Sequence, residues 1–290
     1  MRSARACGVC IGVAFSALFA GAGLAHAPAA GERCGEVLSV QTRERSTTRY
    51  AFVPPPAAAA QGHPITLLLL PGGSGHADLD ERGCARKLQG NSLVRSLPLF
   101  HAAGFGTALV DAPSDFHGED GLGGFRIDAR HAQDLGQLIA ALRTRTQGAV
   151  WVVGTSRGAI SAANAASRLT GTAAPDGLVL TSALMAGQPG AKKAWVAQSV
   201  FDLPLEDIPV PVLVVGHAAD TCVRSPASLM DRIVARTRGP RQQIATVSGG
   251  PARPAPSGLD ACEGRTPHGF VGQEAEVVTG IARFVRGGRY

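Results

Sequence analysis

Aromatic residues are scarce in this chain, at 5 %, and its arginines are scattered rather than clustered. Nucleic-acid binding calls for a concentrated basic face. The formal charge of +6 is therefore read as solvated surface. No long polar tract and no internal repeat appear, which argues against a disordered segment or a solenoid. What the sequence does have is apolar mass: 45 % of 290 residues are hydrophobic. That is enough for a sizeable core in one large domain or two small ones.

The N-terminus reads MRSARACGVCIGVAFSALFAGAGLAHAPAAGERC. Arg2 and Arg5 form a basic start, and Ile11 to Ala25 is a short apolar stretch. Ala25-His26-Ala27 has the small-x-small form of a cleavage site. A signal peptide over residues 1–27 is expected, with cleavage between 27 and 30 because Pro28 disfavours a cut directly before it. The competing reading is a retained membrane anchor, but the apolar stretch is short and rich in Gly and Ala for a span. The catalytic domain is expected over residues 34–290, and the mature protein is thus expected to be periplasmic or secreted, with no stable membrane anchor after signal cleavage. Cys7 and Cys10 leave with the signal, and Cys34, Cys84, Cys222 and Cys262 remain. In an oxidising compartment these predict two disulfides, with three connectivities open. A zinc site would want a close pair such as C-x-x-C, which the mature chain lacks.

Along the chain, Glu36 to Val53 alternates apolar and polar residues and predicts two antiparallel edge strands. Pro54 to Pro64 is a turn-rich connector. Ile65 to Leu70 is a continuous apolar run of the kind buried on both faces of a parallel sheet. Helical spacing covers Asn91 to Ala103, ended by Gly104. Further strands are expected at Thr107 to Val110, Ala149 to Val153, Gly177 to Thr181, Val210 to Val215 and Gln243 to Val247. Helices are expected at Ile127 to Arg145, Ala159 to Leu169, Ser228 to Thr237 and Glu274 to Val285. Strands alternating with helices predict an α/β fold, a mostly parallel central sheet with helices on both faces. Ser182 to Pro209 is the only room for a cap, and it is too short for a lid domain.

GTSRG, Gly154 to Gly158, is a G-x-S-x-G that follows a strand and opens a helix. A turn that sharp holds the serine in a strained backbone conformation and projects its Oγ above the sheet. The flanking glycines are needed where backbone comes too close for a Cβ. The competing reading is a chance glycine-serine turn.

On these residues the chain resembles the α/β-hydrolase superfamily of serine esterases and lipases, from about Val37 to the last helix. The resemblance implies a triad in the order nucleophile, acid, histidine. Ser156 matches the nucleophile. Asp220, just beyond the strand Val210 to Val215, matches the acid better than Asp202, Glu206 or Asp207, which precede it. His268, in TPHGF, is the only histidine after Asp220. LPGGSGH, Leu70 to His76, resembles the esterase H-G-G loop with Pro71 in place of the histidine. Gly73 and Arg157 are then the expected oxyanion donors through their backbone N–H groups. A phosphate-cradling loop is the alternative, but this one lacks the P-loop lysine and the third glycine of a dinucleotide motif. His217 is read as a buttress of the acid loop, and the Arg157 side chain as a helix-start residue rather than a substrate clamp.

The resemblance also implies that the acid and histidine loops meet above one edge of the sheet. A Cys222–Cys262 bridge would tie them, leaving Cys34 for Cys84. The expected activity is hydrolysis of a carboxylic ester through an acyl-enzyme, with no metal or organic cofactor. The partner is a small-molecule or acyl substrate and not nucleic acid. A peptidase or amidase on the same triad is the alternative, and so is a non-catalytic binding protein on the same fold.

Overall fold

A computed structural model describes residues 33–56, 63–251 and 256–290, together with Met1. Apart from Met1, the expected signal peptide lies outside the described residues. Eight strands form one sheet in the order β1-β2-β4-β3-β5-β6-β7-β8. They are β1 Glu36–Arg43, β2 Ser46–Val53, β3 Ile65–Leu70, β4 Gly106–Val110, β5 Ala149–Thr155, β6 Gly177–Thr181, β7 Val212–His217 and β8 Gln242–Val247. The β1/β2 and β2/β4 pairs are antiparallel, and every other pair is parallel.

Alternation of side chains across the pleat sorts the core into two layers. Leu68 and Leu70 of β3 face one layer, which also holds α3 (Ala129–Thr146), α4 (Gly158–Arg168) and α6 (Met230–Arg236). Leu67 and Leu69 face the other, built on α1 (Ser92–Arg95), α2 (Leu97–Ala102) and α7 (Glu274–Val285). Both faces of β3 are covered, which is why its sequence is apolar except for Thr66, itself buried.

Three elements differ from the sequence expectation. β2 is an interior strand, paired with β1 on one side and β4 on the other; only β1 of the two is an edge. The helix expected from Asn91 to Ala103 is two short helices joined at Ser96. Pro98 lies in the first turn of α2 and has no N–H to continue the ladder from α1. β7 begins at Val212 because Pro211 before it cannot donate, and it runs on to His217.

Two disulfides staple the periphery. Cys34–Cys84 ties the chain just before β1 to the loop after β3, and Cys222–Cys262 ties the loop after β7 to the loop after β8. The segment from Ser182 to Pro209 carries one four-residue helix, α5 (Ala194–Ala197), and short 3₁₀ turns. Among the described residues no helix is long and apolar enough to cross a membrane.

Candidate active site

The parallel strands end on one side of the sheet, and their C-terminal loops converge there. β5 runs into α4 through a turn so tight that Ser156 takes φ of 53°, a left-handed conformation that a residue with a side chain rarely adopts. A Cβ on Gly154 would stand 2.4 Å from the Gly158 carbonyl oxygen, and one on Gly158 would stand 2.0 Å from the Leu70 carbonyl oxygen. Glycine is therefore the only residue that closes this turn without moving the backbone. The turn is locked to the sheet by Ser156 N–H, which donates to Thr181 O at 3.0 Å. Ser156 is left partly exposed.

Asp220 follows the end of β7, and its N–H donates to His217 O at 3.0 Å. His268 lies in a short 3₁₀ turn, Pro267–Gly269, ahead of α7. The structure brings the three residues into one hydrogen-bonded row. His268 Nδ1 is 2.9 Å from Asp220 Oδ2, and His268 Nε2 is 3.0 Å from Ser156 Oγ. With Nδ1–H donating to the carboxylate, Nε2 carries the lone pair that accepts from the serine hydroxyl. His268 and the Asp220 side chain are both buried, so the row is protected from water up to the serine.

Several residues that hold this row were not foreseen. Ser225 Oγ donates to Asp220 Oδ2 at 2.8 Å and is 2.9 Å from His268 Nδ1, so it touches both ends of that contact. Ser182, itself at φ of 43°, donates its hydroxyl to His268 O at 2.6 Å. Thr266 Oγ1 accepts from His268 N–H at 3.2 Å and donates to Ala261 O at 2.7 Å. His217, by contrast, was expected to buttress the acid loop; it is buried, and its Nδ1 accepts from Ala219 N–H at 3.0 Å, which braces the loop leading to Asp220.

The loop after β3 lies against Ser156. A Cβ on Gly72 would stand 2.8 Å from Ser156 Cβ, which measures how closely the two chains approach. Gly75 N–H donates to Gly72 O at 3.1 Å and closes the loop into a turn. Among the described residues, the Gly73 and Arg157 N–H groups have no protein acceptor. Arg126, fully buried, reaches the loop from the other side. Its Nη2 donates to Pro71 O at 3.2 Å and Gly73 O at 3.3 Å, and its Nη1 donates to Ser161 Oγ at 2.7 Å in α4. One guanidinium thus ties the loop after β3 to the helix that follows Ser156. Burial, helped by the nearby Arg157 charge, lowers its pKa to about 9, so it stays charged at neutral pH. His131 shares Ser161 as a partner, with Nε2 at 2.8 Å from Ser161 Oγ. Burial, then the Arg126 charge, drives its pKa down to about 3.

Among the described residues two groups could offer donor atoms to a metal, and most of those atoms are already engaged. Cys222 is spent in a disulfide, so it offers Asp220 and His268 no thiolate. Asp111 Oδ1 accepts from Ala77 N–H at 2.7 Å and Ala112 N–H at 2.9 Å, Oδ2 accepts from Leu79 N–H at 3.1 Å, and His76 Nδ1 lies 3.0 Å from Oδ1. His117 stacks on His76 at 4.1 Å and bonds Ala112 O. This trio braces the loop after β3.

No protein-family model matches the chain, and no curated protein matches it in sequence. Solved structures do. An esterase from Pyrococcus furiosus, Pf2001, aligns with a TM-score of 0.56 at 12 % identity, covering 87 % of this chain and 91 % of that one. The proline iminopeptidase of Mycobacterium smegmatis aligns with a TM-score of 0.55 at 13 % identity, over 87 % and 98 % of the two chains. XC6422 from Xanthomonas campestris, described as an α/β serine hydrolase without a lid, aligns with a TM-score of 0.51 at 14 % identity, over 84 % and 94 %. Likeness at such identities speaks to fold. The chain has the α/β-hydrolase fold, and no lid is evident among the described residues.

Proposed function

We propose that this protein is a serine hydrolase that cleaves carboxylic esters through an acyl-enzyme. The observation that carries the reading is the buried row Asp220–His268–Ser156, with contacts of 2.9 and 3.0 Å, ending on a serine held at φ of 53°. His268 Nε2 takes the hydroxyl proton as Ser156 Oγ forms a bond to the acyl carbon, and the carbonyl oxygen becomes an oxyanion. Asp220 keeps His268 in the Nδ1–H tautomer and stabilises the imidazolium that forms. The Gly73 and Arg157 N–H groups are the oxyanion donors, a role supported by their lack of other acceptors among the described residues. His268 then protonates the leaving alcohol. Water, deprotonated by the same nitrogen, releases the acid and restores the serine.

Residues 34–290 form the catalytic domain on this reading. The protein works outside the cytoplasm, which the two disulfides support, since such bridges persist in oxidising compartments. Amide cleavage is the second reading, favoured by the likeness to an iminopeptidase. A panel of para-nitrophenyl esters of short and long acyl chains, run beside peptide para-nitroanilides, separates the two. Esters should turn over and Ser156→Ala should abolish that turnover with the fold intact. Hydrolysis of anilides alone would move the assignment to a peptidase. Residual ester turnover by Ser156→Ala above a small fraction would remove the serine from the mechanism.

A further inference from the structure

Arg157 follows the nucleophile directly, and the sequence alone gives its side chain no role beyond opening α4. Its surroundings do. The guanidinium lies over the Trp195 ring, 4.5 Å from the centroid, and among the described residues it has no hydrogen-bond acceptor and no ion pair. Trp195 is itself fixed, its Nε1–H donating to Asp120 Oδ1 at 2.9 Å. The charges that face Arg157 are Arg224, Asp120 and Glu263, with Arg126 behind it. Asp120 is already engaged by Lys193 Nζ at 2.8 Å, and Glu263 is exposed. Arg224, buried, donates from Nε and Nη2 to the carbonyls of Ala186, Gln198 and Trp195, and among the described residues no carboxylate pairs with it. Arg126 likewise bonds only carbonyls and a hydroxyl. Arg157 thus interacts with two further guanidinium charges, Arg126 and Arg224, and none of the three has an ion pair among the described residues. Burial and the repulsion from Arg224 lower the Arg157 pKa, the direction expected for a cation held near other cations.

Resting on the serine-hydrolase reading, we propose that the substrate carries a carboxylate close to the scissile carbonyl, received by the stacked guanidinium of Arg157. The planar guanidinium fork matches a carboxylate, and the indole holds it in one plane. Arg224 and Arg126 add a positive field, while most of their donors bond protein carbonyls and one hydroxyl. The carboxylate can lie on the acyl side or the leaving-group side of the ester. Both are tested.

The acyl arm compares the para-nitrophenyl monoester of adipic acid with para-nitrophenyl hexanoate. The leaving-group arm compares para-acetoxybenzoate with para-acetoxybenzamide. In at least one arm the charged member should be favoured in kcat/KM by on the order of 10-fold or more, the size expected of a charge-assisted hydrogen bond. Added salt should reduce the preference. In Arg157→Gln the ratio should collapse towards one, with Arg157→Lys between. The backbone N–H is retained in both variants, and the ratio cancels any change common to the two substrates. A ratio at or below one in both arms, or a ratio unchanged in Arg157→Gln, overturns the proposal. A binding readout separates this failure from failure of the hydrolase reading. Adipate should change tryptophan fluorescence saturably while adipamide does not, with the response lost in Arg157→Gln and in Trp195→Phe. The chain's other tryptophan, Trp151, is buried. Absence of any adipate response overturns the anion site whether or not esters are cleaved. Its presence without ester turnover leaves the site standing and removes the hydrolase.

Discussion

Replacing Cys222 and Cys262 together by serine opens the bridge between the loop carrying Asp220 and the loop carrying His268. The two cysteines are 40 residues apart, and in the chain-entropy picture closing such a loop destabilises the unfolded state by about 4 kcal/mol. At ~2–4 °C per kcal/mol for a domain of this size, the melting temperature should fall by roughly 8–16 °C. That range is an upper bound, because the loops keep a second tether. Cys222 pairs with Gly258 in an isolated bridge, and Thr221 Oγ1 donates to Pro256 O at 2.8 Å. Activity should respond beyond global stability. Asp220 lies two residues before Cys222, and its Oδ1 accepts from Cys222 N–H at 2.9 Å. A displacement of about 1 Å between reacting groups costs ~100-fold. Well below both melting temperatures, kcat on a para-nitrophenyl ester should therefore fall between ~10- and ~100-fold while the far-UV circular dichroism is unchanged. A lowered melting temperature with kcat within about twofold of the parent would show that the bridge stabilises without positioning, and would refute the reasoning.

Two further outcomes follow from the site's surroundings. Ser225→Ala removes the hydroxyl shared by Asp220 and His268 and should lower kcat by about 10-fold with KM unchanged, since the contact orients the base and does not touch substrate; a rise in KM instead would place Ser225 in substrate binding. The folded-state pKa of His131 is held down at about 3, whereas an unfolded histidine titrates near ~6.5, so the unfolded chain binds the extra proton between those values. Stability from this group is full above about pH 6.5 and is lost as pH falls, by at most ~1.4 kcal/mol per unit. Urea midpoints at several pH values should show the loss, with a shallower slope in His131→Gln; equal slopes would acquit His131.

What the sequence revealed and what it hid divide along contact distance. The turn at Ser156 is legible because its causes are local: Gly154 and Gly158 flank Ser156 in the chain and meet in space. The order of Asp220 and His268 came through likeness to a family, since nothing in the local pattern marks an aspartate after a strand as special. The residues that hold the row were invisible for a physical reason. Ser225 and His268 are separated by 43 positions, Ser182 and His268 by 86, and Arg126 and Pro71 by 55. A lone serine or arginine carries no sign of such a partner. Arg126 was hidden further by its burial, where a sequence reading expects a charge to be solvated. The split of α1 from α2, by contrast, was readable from Pro98, and helical spacing on either side of the proline masked it. β2 read as an edge strand because its alternation resembles that of a half-exposed strand, although both its neighbours are strands.

Catalysis as proposed requires Ser156 to be a nucleophile made reactive by His268. Mass spectrometry of the protein after exposure to a fluorophosphonate tests this most directly, because the reagent bonds covalently to an activated serine and needs no knowledge of the substrate. The account predicts one phosphonyl adduct per chain, on the peptide containing Ser156, absent from Ser156→Ala and formed far more slowly in His268→Ala. An unlabelled wild-type protein, or an adduct that persists in Ser156→Ala, would contradict it.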